Sequence, residues 1–249
     1  MREDLDSAIQ AIHVRFGEHS LQRATRLPAT ESWPCGSTAV DFLSGIGGLP
    51  KGRLSVLSGP STSGKLSLGL GLLARASHEF ARVVVIDPEA CFDPWALAPL
   101  GADLSPLTLI RPPDLASTGE AATALARAGA GFLLLLGSLG EADLSPLEAA
   151  SARSGVLVVA VVDACPRPLA HASSLTLGVE RSDWIFERGQ LVGLRARLRC
   201  LKNKLAPPVG EADLEVRYPL GAQVFFPDSV RSIRSEEEAR PCPVRSAAV

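Results

Sequence analysis

Residues Gly59 to Leu66, Gly-Pro-Ser-Thr-Ser-Gly-Lys-Leu, constrain the fold of this chain more than any other segment. The pattern is that of a phosphate-binding loop, G-x-x-x-x-G-K. Its glycines let backbone N–H groups cradle phosphate, and its lysine reaches the outer phosphates. Such a loop ends in Ser or Thr, whose hydroxyl holds Mg²⁺. Here that position is Leu66, which offers a metal nothing. Leu54 to Ser58 (LSVLS) reads as a buried strand entering the loop, and Ser67 to Ala76 (SLGLGLLARA) as a helix leaving it. Strand, glycine loop and helix in that order place phosphate at a helix N-terminus. The chain therefore has the frame of an α/β nucleotide-binding fold around an altered site.

The rest of the chain fits that frame. Arg82 to Asp87 (RVVVID), Leu107 to Ile110, Gly131 to Leu136 (GFLLLL) and Val156 to Val162 (VLVVAVV) are apolar runs without polar alternation. Helical segments lie between them, among them Ser117 to Ala128, where Ser117 and Glu120 form a capping box. Unbroken apolar strands alternating with helices predict a mostly parallel sheet covered on both faces. Toward the C-terminus, Ser173 to Val179, Trp184 to Glu187, Gln190 to Lys202 and Asp213 to Tyr218 read as antiparallel strands, with a hairpin turn at Glu187 to Gln190. Leu5 to Phe16 is an amphipathic helix ahead of the α/β pattern, and Ser37 to Leu43 a short helix capped by Ser37. The expected division is an N-terminal helix and linker over 1–34, a core over 35–227, and a flexible Ser/Arg/Glu/Pro-rich tail over 228–249.

Composition sets further bounds. A chain of 249 residues, 46% hydrophobic, suffices for one sizeable α/β domain. A net charge of −2 supplies no global basic field for nucleic acid, so a DNA contact needs a local patch. The five cysteines (Cys35, Cys91, Cys165, Cys200, Cys242) are scattered, which points to reduced thiols in a cytoplasmic protein rather than a zinc site or disulfide frame. No apolar run reaches transmembrane length, and the charged N-terminus lacks a signal-peptide core.

The order of segments resembles the RecA family over most of the chain. The stretch PCGSTAVDFLSGIGGLPKGRLSVLSGPSTSGK resembles the start of the RecA ATPase core. The stretch VVVIDPEACFDPWALAPLGADLSPLTLIRP resembles its catalytic-glutamate region, STGEAATALARAGA the helix after it, and LRCLKNKLAPPVGEADLEVRY its closing strands. AIQAIHVRFGEHSLQR is similar to the RecA N-terminal polymerisation helix. The resemblance implies an α/β fold with a RecA-like P-loop core: a mostly parallel central sheet, antiparallel C-terminal strands and an N-terminal helix.

The departures from RecA are as informative. The loop hydroxyl is replaced by Leu66, and the strand GFLLLL ends in Gly137 where the resemblance implies a metal-holding Asp. The adenine-stacking Tyr falls at Ala96, beside Trp95. Only Gly137 to Gly155 separates two strands where RecA carries its first DNA loop, and Asp163 to Ala172 replaces the nucleotide sensor and the second. Gly59, Ser63, Gly64 and Lys65 are the nucleotide-binding candidates, with weak or no binding expected, and Lys65 has solvation or internal pairing as the plainer alternative. Glu89 corresponds to the residue that orients the attacking water, or is an exposed loop carboxylate. Lys202 and Lys204 correspond to lysines that reach a neighbouring subunit's ATP, or are a charged strand end. Ile9, Ile12 and Phe16 are further partner-binding candidates. Arg195, Arg197 and Arg199 alternate along one strand face, a basic stripe suited to DNA phosphates, to an acidic partner or to solvent.

The expected function is that of a catalytically silent RecA-like accessory protein of the ImuA type, acting in the SOS response and translesion synthesis. Its partners would be RecA and translesion polymerase components, with DNA binding weak or absent and no membrane. It would modulate or inhibit RecA filaments and support damage-induced mutagenesis. On this view there is no cofactor or metal, ATP being possible but not expected, and the chain is no enzyme. The alternative is a residual DNA-dependent ATPase or recombinase paralogue, with Ser67 standing in for the missing hydroxyl.

Overall fold

A computed structural model describes residues 2–16, 30–137, 143–207, 210–218 and 231–232. Two compact units divide the chain, Met1–Thr30 and Glu31–Val249. In the first, α1 spans Arg2–Phe16, with Ile9 and Ile12 half-buried within it.

The second unit is built on a nine-stranded sheet. In chain order its strands are β3 (Leu54–Ser58), β4 (Val83–Ile86), β5 (Leu107–Ile110), β6 (Phe132–Leu136), β7 (Leu157–Val162), β8 (Leu175–Glu187), β9 (Gln190–Asn203), β10 (Glu211–Arg217) and β11 (Arg231–Ser232). A separate two-stranded ribbon joins β1 (Ser32–Trp33) to β2 (Leu49–Pro50). The spatial order is β11-β10-β9-β8-β3-β7-β6-β4-β5. Strands β8, β3, β7, β6, β4 and β5 run parallel, and β9, β10 and β11 add on antiparallel. The α/β class, the mostly parallel sheet and the antiparallel C-terminal strands are as the sequence predicts.

Both faces of the sheet are covered, which explains the unbroken apolar strands. Successive side chains of a strand point to opposite faces. Phe132, Leu134 and Leu136 of β6 accordingly enter one core with Leu157, Val159 and Val161 of β7. Leu133 and Leu135 enter the other with Val158, Ala160 and Val162. Helices α2 (Thr38–Leu43) and α3 (Lys65–Glu79) close the first face. Helices α4 (Leu115–Arg127), α5 (Ser145–Ser154) and α6 (Arg167–Ala172) close the second.

Local details refine three expectations. Helix α4 starts at Leu115, and its cap is Asp114, whose carboxylate accepts the Ser117 N–H at 2.8 Å, so Ser117 lies inside the first turn. The two segments expected at 173–179 and 184–187 form one continuous strand, β8, which absorbs its polar middle through register shifts near Arg181 and Ile185. Of the expected tail, Arg231 and Ser232 are described, paired with β10, and its other residues lie outside the described set.

Candidate phosphate site and neighbouring charged surfaces

The parallel strands end at one edge of the sheet, where open α/β sheets present ligand crevices. Residues leaving that edge include 59–64 after β3, 87–93 after β4, Gly137 after β6, and 163–166 after β7. They enclose a cavity of about 500 Å³ lined by Lys65, Leu66, Glu89, Gly137, Asp163 and Cys165 among others. Two of the sequence candidates, Lys65 and Glu89, thus share one cavity with the altered positions Leu66 and Gly137. Ser67, the proposed substitute hydroxyl, is not among its lining residues.

The glycine loop is held by close packing. A Cβ on Gly59 would lie 2.1 Å from the Val179 carbonyl oxygen of β8, so only glycine fits. Gly64 adopts φ +95° as the cap of α3. Between them Thr62 takes φ +62°, unusual for a residue with a Cβ. Arg181 of β8 secures it: its Nη1 donates to Thr62 Oγ1 at 2.7 Å and to Thr62 O at 3.3 Å. The same guanidinium lies 4.2 Å from the centre of the Trp184 ring. Ser63 is buried, and its Oγ accepts the Lys65 N–H at 3.4 Å.

Lys65 is nearly buried. Its ammonium donates to Pro60 O at 3.1 Å and pairs with Asp163 Oδ1 at 2.7 Å. Internal pairing is thus the state of this lysine. A side chain at position 137 would place its Cβ 2.7 Å from Glu89 Cδ, so the Glu89 carboxyl fills the space such a side chain needs. The loop bearing Glu89 is fastened by Asp87, which is fully buried and accepts from Phe92 N at 2.9 Å and Cys91 N at 3.1 Å.

The glycine loop leads into the first turn of α3, and Lys65 on that turn lines the cavity. The usual metal shell does not fit, because positions 66 and 137 offer no side-chain oxygen. The carboxylates lining the cavity are Glu89 and Asp163.

The remaining candidates lie elsewhere. Lys202 and Lys204 both donate from Nζ to the carbonyls at the end of α6: Lys202 to Ala170 and, at 3.2 Å, to His171, and Lys204 to His171 at 2.7 Å. Burial, and then the neighbouring Lys204, lowers the Lys202 pKa. Asn203 between them ties β9 to α2, its Nδ2 donating to Ser44 O at 2.9 Å. The K-N-K segment therefore ties β9 to α6 and α2.

The arginine stripe meets carboxylates of its own chain. The register sets Arg195 opposite Glu215, Arg197 opposite Asp213 and Arg199 opposite Glu211. The ion pairs measure 3.8, 3.3 and 2.7 Å. The acidic partner envisaged for the stripe is supplied by the neighbouring strand, and cross-strand pairing neutralises the patch.

Sequence reasoning did not single out Asp163, Asp87 or Arg181. Asp163 and Asp87 carried a usable signal, since each is the first polar residue after an unbroken apolar strand. Arg181 carried none, because its contact joins residues 119 positions apart.

Comparison with known proteins decides the lineage. The RecA N-terminal domain family matches residues 3–152. The chain belongs to the RecA family. It is 30% identical over 258 residues to the RecA protein of Aquifex pyrophilus, covering 87% of this chain and 74% of that one. It is 29% identical over 259 residues to RecA of Brucella anthropi, covering 87% and 72% respectively. With RecA of Thermus thermophilus it shares 28% over 262 residues, or 88% and 77% of the two chains.

These relatives correct one expectation. The chain was expected to be no enzyme on the strength of Leu66 and Gly137, yet the proteins matching it over most of its length are RecA proteins, and their names point to an enzyme family. Among the described residues, no helix is long and apolar enough to cross a membrane.

Proposed function

We propose that this chain is a RecA-family accessory protein of the DNA-damage response that binds RecA and translesion polymerase components, in the manner of the ImuA type. It modulates RecA filament activity and supports damage-induced mutagenesis in the cytoplasm. One observation carries this reading. The two connections that bear DNA loops in the RecA resemblance are here occupied by packed helices. The β6–β7 connection contains α5, which buries Leu147 and Ala150, and the β7–β8 connection contains α6, which buries Leu169 and Ala172. Helices committed to the core in place of those loops support a role in protein contacts, as does the resemblance to the RecA polymerisation helix, with Ile9, Ile12 and Phe16.

The test is direct binding. Immobilised full-length protein is expected to capture purified RecA and to change its ATP hydrolysis on single-stranded DNA. Deletion of residues 1–27 is expected to abolish capture. A full-length protein that neither binds RecA nor alters its turnover defeats the proposal.

A second reading has its own support. Lys65, Glu89 and Asp163 converge on one cavity at the sheet edge, as a nucleotide-handling site of the chain's own would require. On this reading the protein is a DNA-dependent ATPase paralogue of RecA.

A further inference from the structure

We propose that Asp163 is a built-in competitor for the phosphate site: its carboxylate holds the Lys65 ammonium, and a polyphosphate enters by displacing it. The inference rests on the reading of this cavity as a phosphate site. Its ligand class is a linear polyphosphate or the phosphate tail of a nucleotide.

The arrangement follows from the sheet. Strand β7 lies parallel to β3, with Ser58 opposite Val162. Gly59 and Asp163 therefore leave the edge side by side, joined by the Gly59 N–H to the Val162 carbonyl at 3.3 Å. Lys65 stands on the first turn of α3, and its side chain reaches back over the loop to Pro60 O and Asp163 Oδ1. The two partners differ in freedom. The Lys65 side chain is 10% exposed and that of Asp163 is 72% exposed. The lysine is fixed, whereas the carboxylate can swing into solvent with little loss of packing. That asymmetry makes the pair displaceable by an anion from solution.

Charge explains why the carboxylate matters. Among the described residues lining the cavity, Lys65 is the cation, and Asp163 and Glu89 are the carboxylates. An incoming polyphosphate must take over the lysine and also lie beside the displaced carboxylate. An ion pair with one partner largely in solvent contributes modestly, and the like-charge neighbour adds to the barrier. Removing the Asp163 charge is therefore expected to tighten polyphosphate binding on the order of tenfold.

The experiment is calorimetric titration of the full chain with sodium tripolyphosphate at low ionic strength. Asp163→Asn, which keeps the shape, and Asp163→Ala, which removes the side chain, are each expected to bind about tenfold more tightly than the parent protein. Lys65→Met is expected to lose binding in every background. If the parent protein binds and neither Asp163 variant binds more tightly, the competitor role is overturned while the phosphate site survives. If no folded form binds tripolyphosphate, the phosphate-site reading is overturned as well.

Discussion

Asp87→Asn is expected to destabilise the protein by about 2–4 kcal/mol and to make Cys91 more reactive. The carboxylate is 0% exposed and sits at the end of β4. It accepts from Phe92 N at 2.9 Å, Cys91 N at 3.1 Å and Cys91 Sγ at 3.3 Å. These bonds close the turn that carries Glu89 over the cavity, a turn in which Ala90 takes φ +52°. An amide keeps one acceptor oxygen and turns an NH₂ toward a buried donor. Each buried donor left unpaired costs about 1–3 kcal/mol, and bonds to an ionised acceptor lie at the stronger end. Arg111, with Nε 3.7 Å from Asp87 and a half-exposed side chain, adds little. The second readout is chemical. Burial, followed by the hydrogen bond and charge of Asp87, pushes the Cys91 thiol up from 9.0 to about 11. Loss of the carboxylate lets it fall toward its ordinary value, so more thiolate is present at pH 8 and alkylation speeds up. Urea unfolding followed by circular dichroism measures the first effect, and peptide mass spectrometry after timed iodoacetamide exposure measures the second. A loss below about 1 kcal/mol together with unchanged Cys91 alkylation would falsify the claim that Asp87 holds this turn.

Two further outcomes are expected. Stability should fall as pH rises from about 9, because Cys35, Cys91, Cys165 and Cys200 are all held above their ordinary value of 9.0, chiefly by burial. A raised native pKa means the unfolded chain loses these protons first, so the stabilisation is complete below 9 and lost above it. Melting temperatures at stepped pH should show a flat region and then a decline, and Cys35→Ala should make the decline shallower. For the second functional reading, Mg-ATP turnover with single-stranded DNA should be abolished by Lys65→Ala and reduced by Glu89→Gln. Turnover indifferent to both substitutions would count against that reading.

The fold was legible because its signals are local and redundant. Apolar runs such as FLLLL and LVVAVV, interleaved with helices, admit little besides a covered parallel sheet. The glycine loop located the site for the same reason: position 59 tolerates no Cβ, so the sequence had to show glycine. What the sequence left open depended on partners remote along the chain. The arginine stripe looked like a surface for another molecule because Glu211, Asp213 and Glu215 become its neighbours only once β10 pairs with β9. Lys202 and Lys204 looked available for the same reason, since the carbonyls they engage lie about thirty residues upstream. Charge read along a chain gives type and spacing; only topology says which charges cancel.

Gly137 and Glu89 form one coupled feature of the site. The end of β6 lacks the carboxylate that the RecA resemblance implies there, but the space is filled. The Glu89 carboxyl, carried from the end of β4, lies where a side chain at 137 would begin, and Gly137 holds φ +77°, which disfavours any side chain. An aspartate at 137 would require Glu89 to withdraw, and would also carry the cost of a left-handed backbone, about 1 kcal/mol. Reversing that single residue is therefore no simple reversion. The loop lysine is likewise met by a carboxylate from a strand end, Asp163 after β7. Among the described residues, the carboxylates of the cavity thus follow β4 and β7, on a sheet edge whose strand order is that of the fold. Topology fixes where such a crevice lies, and the residues at the strand ends fix what it can hold.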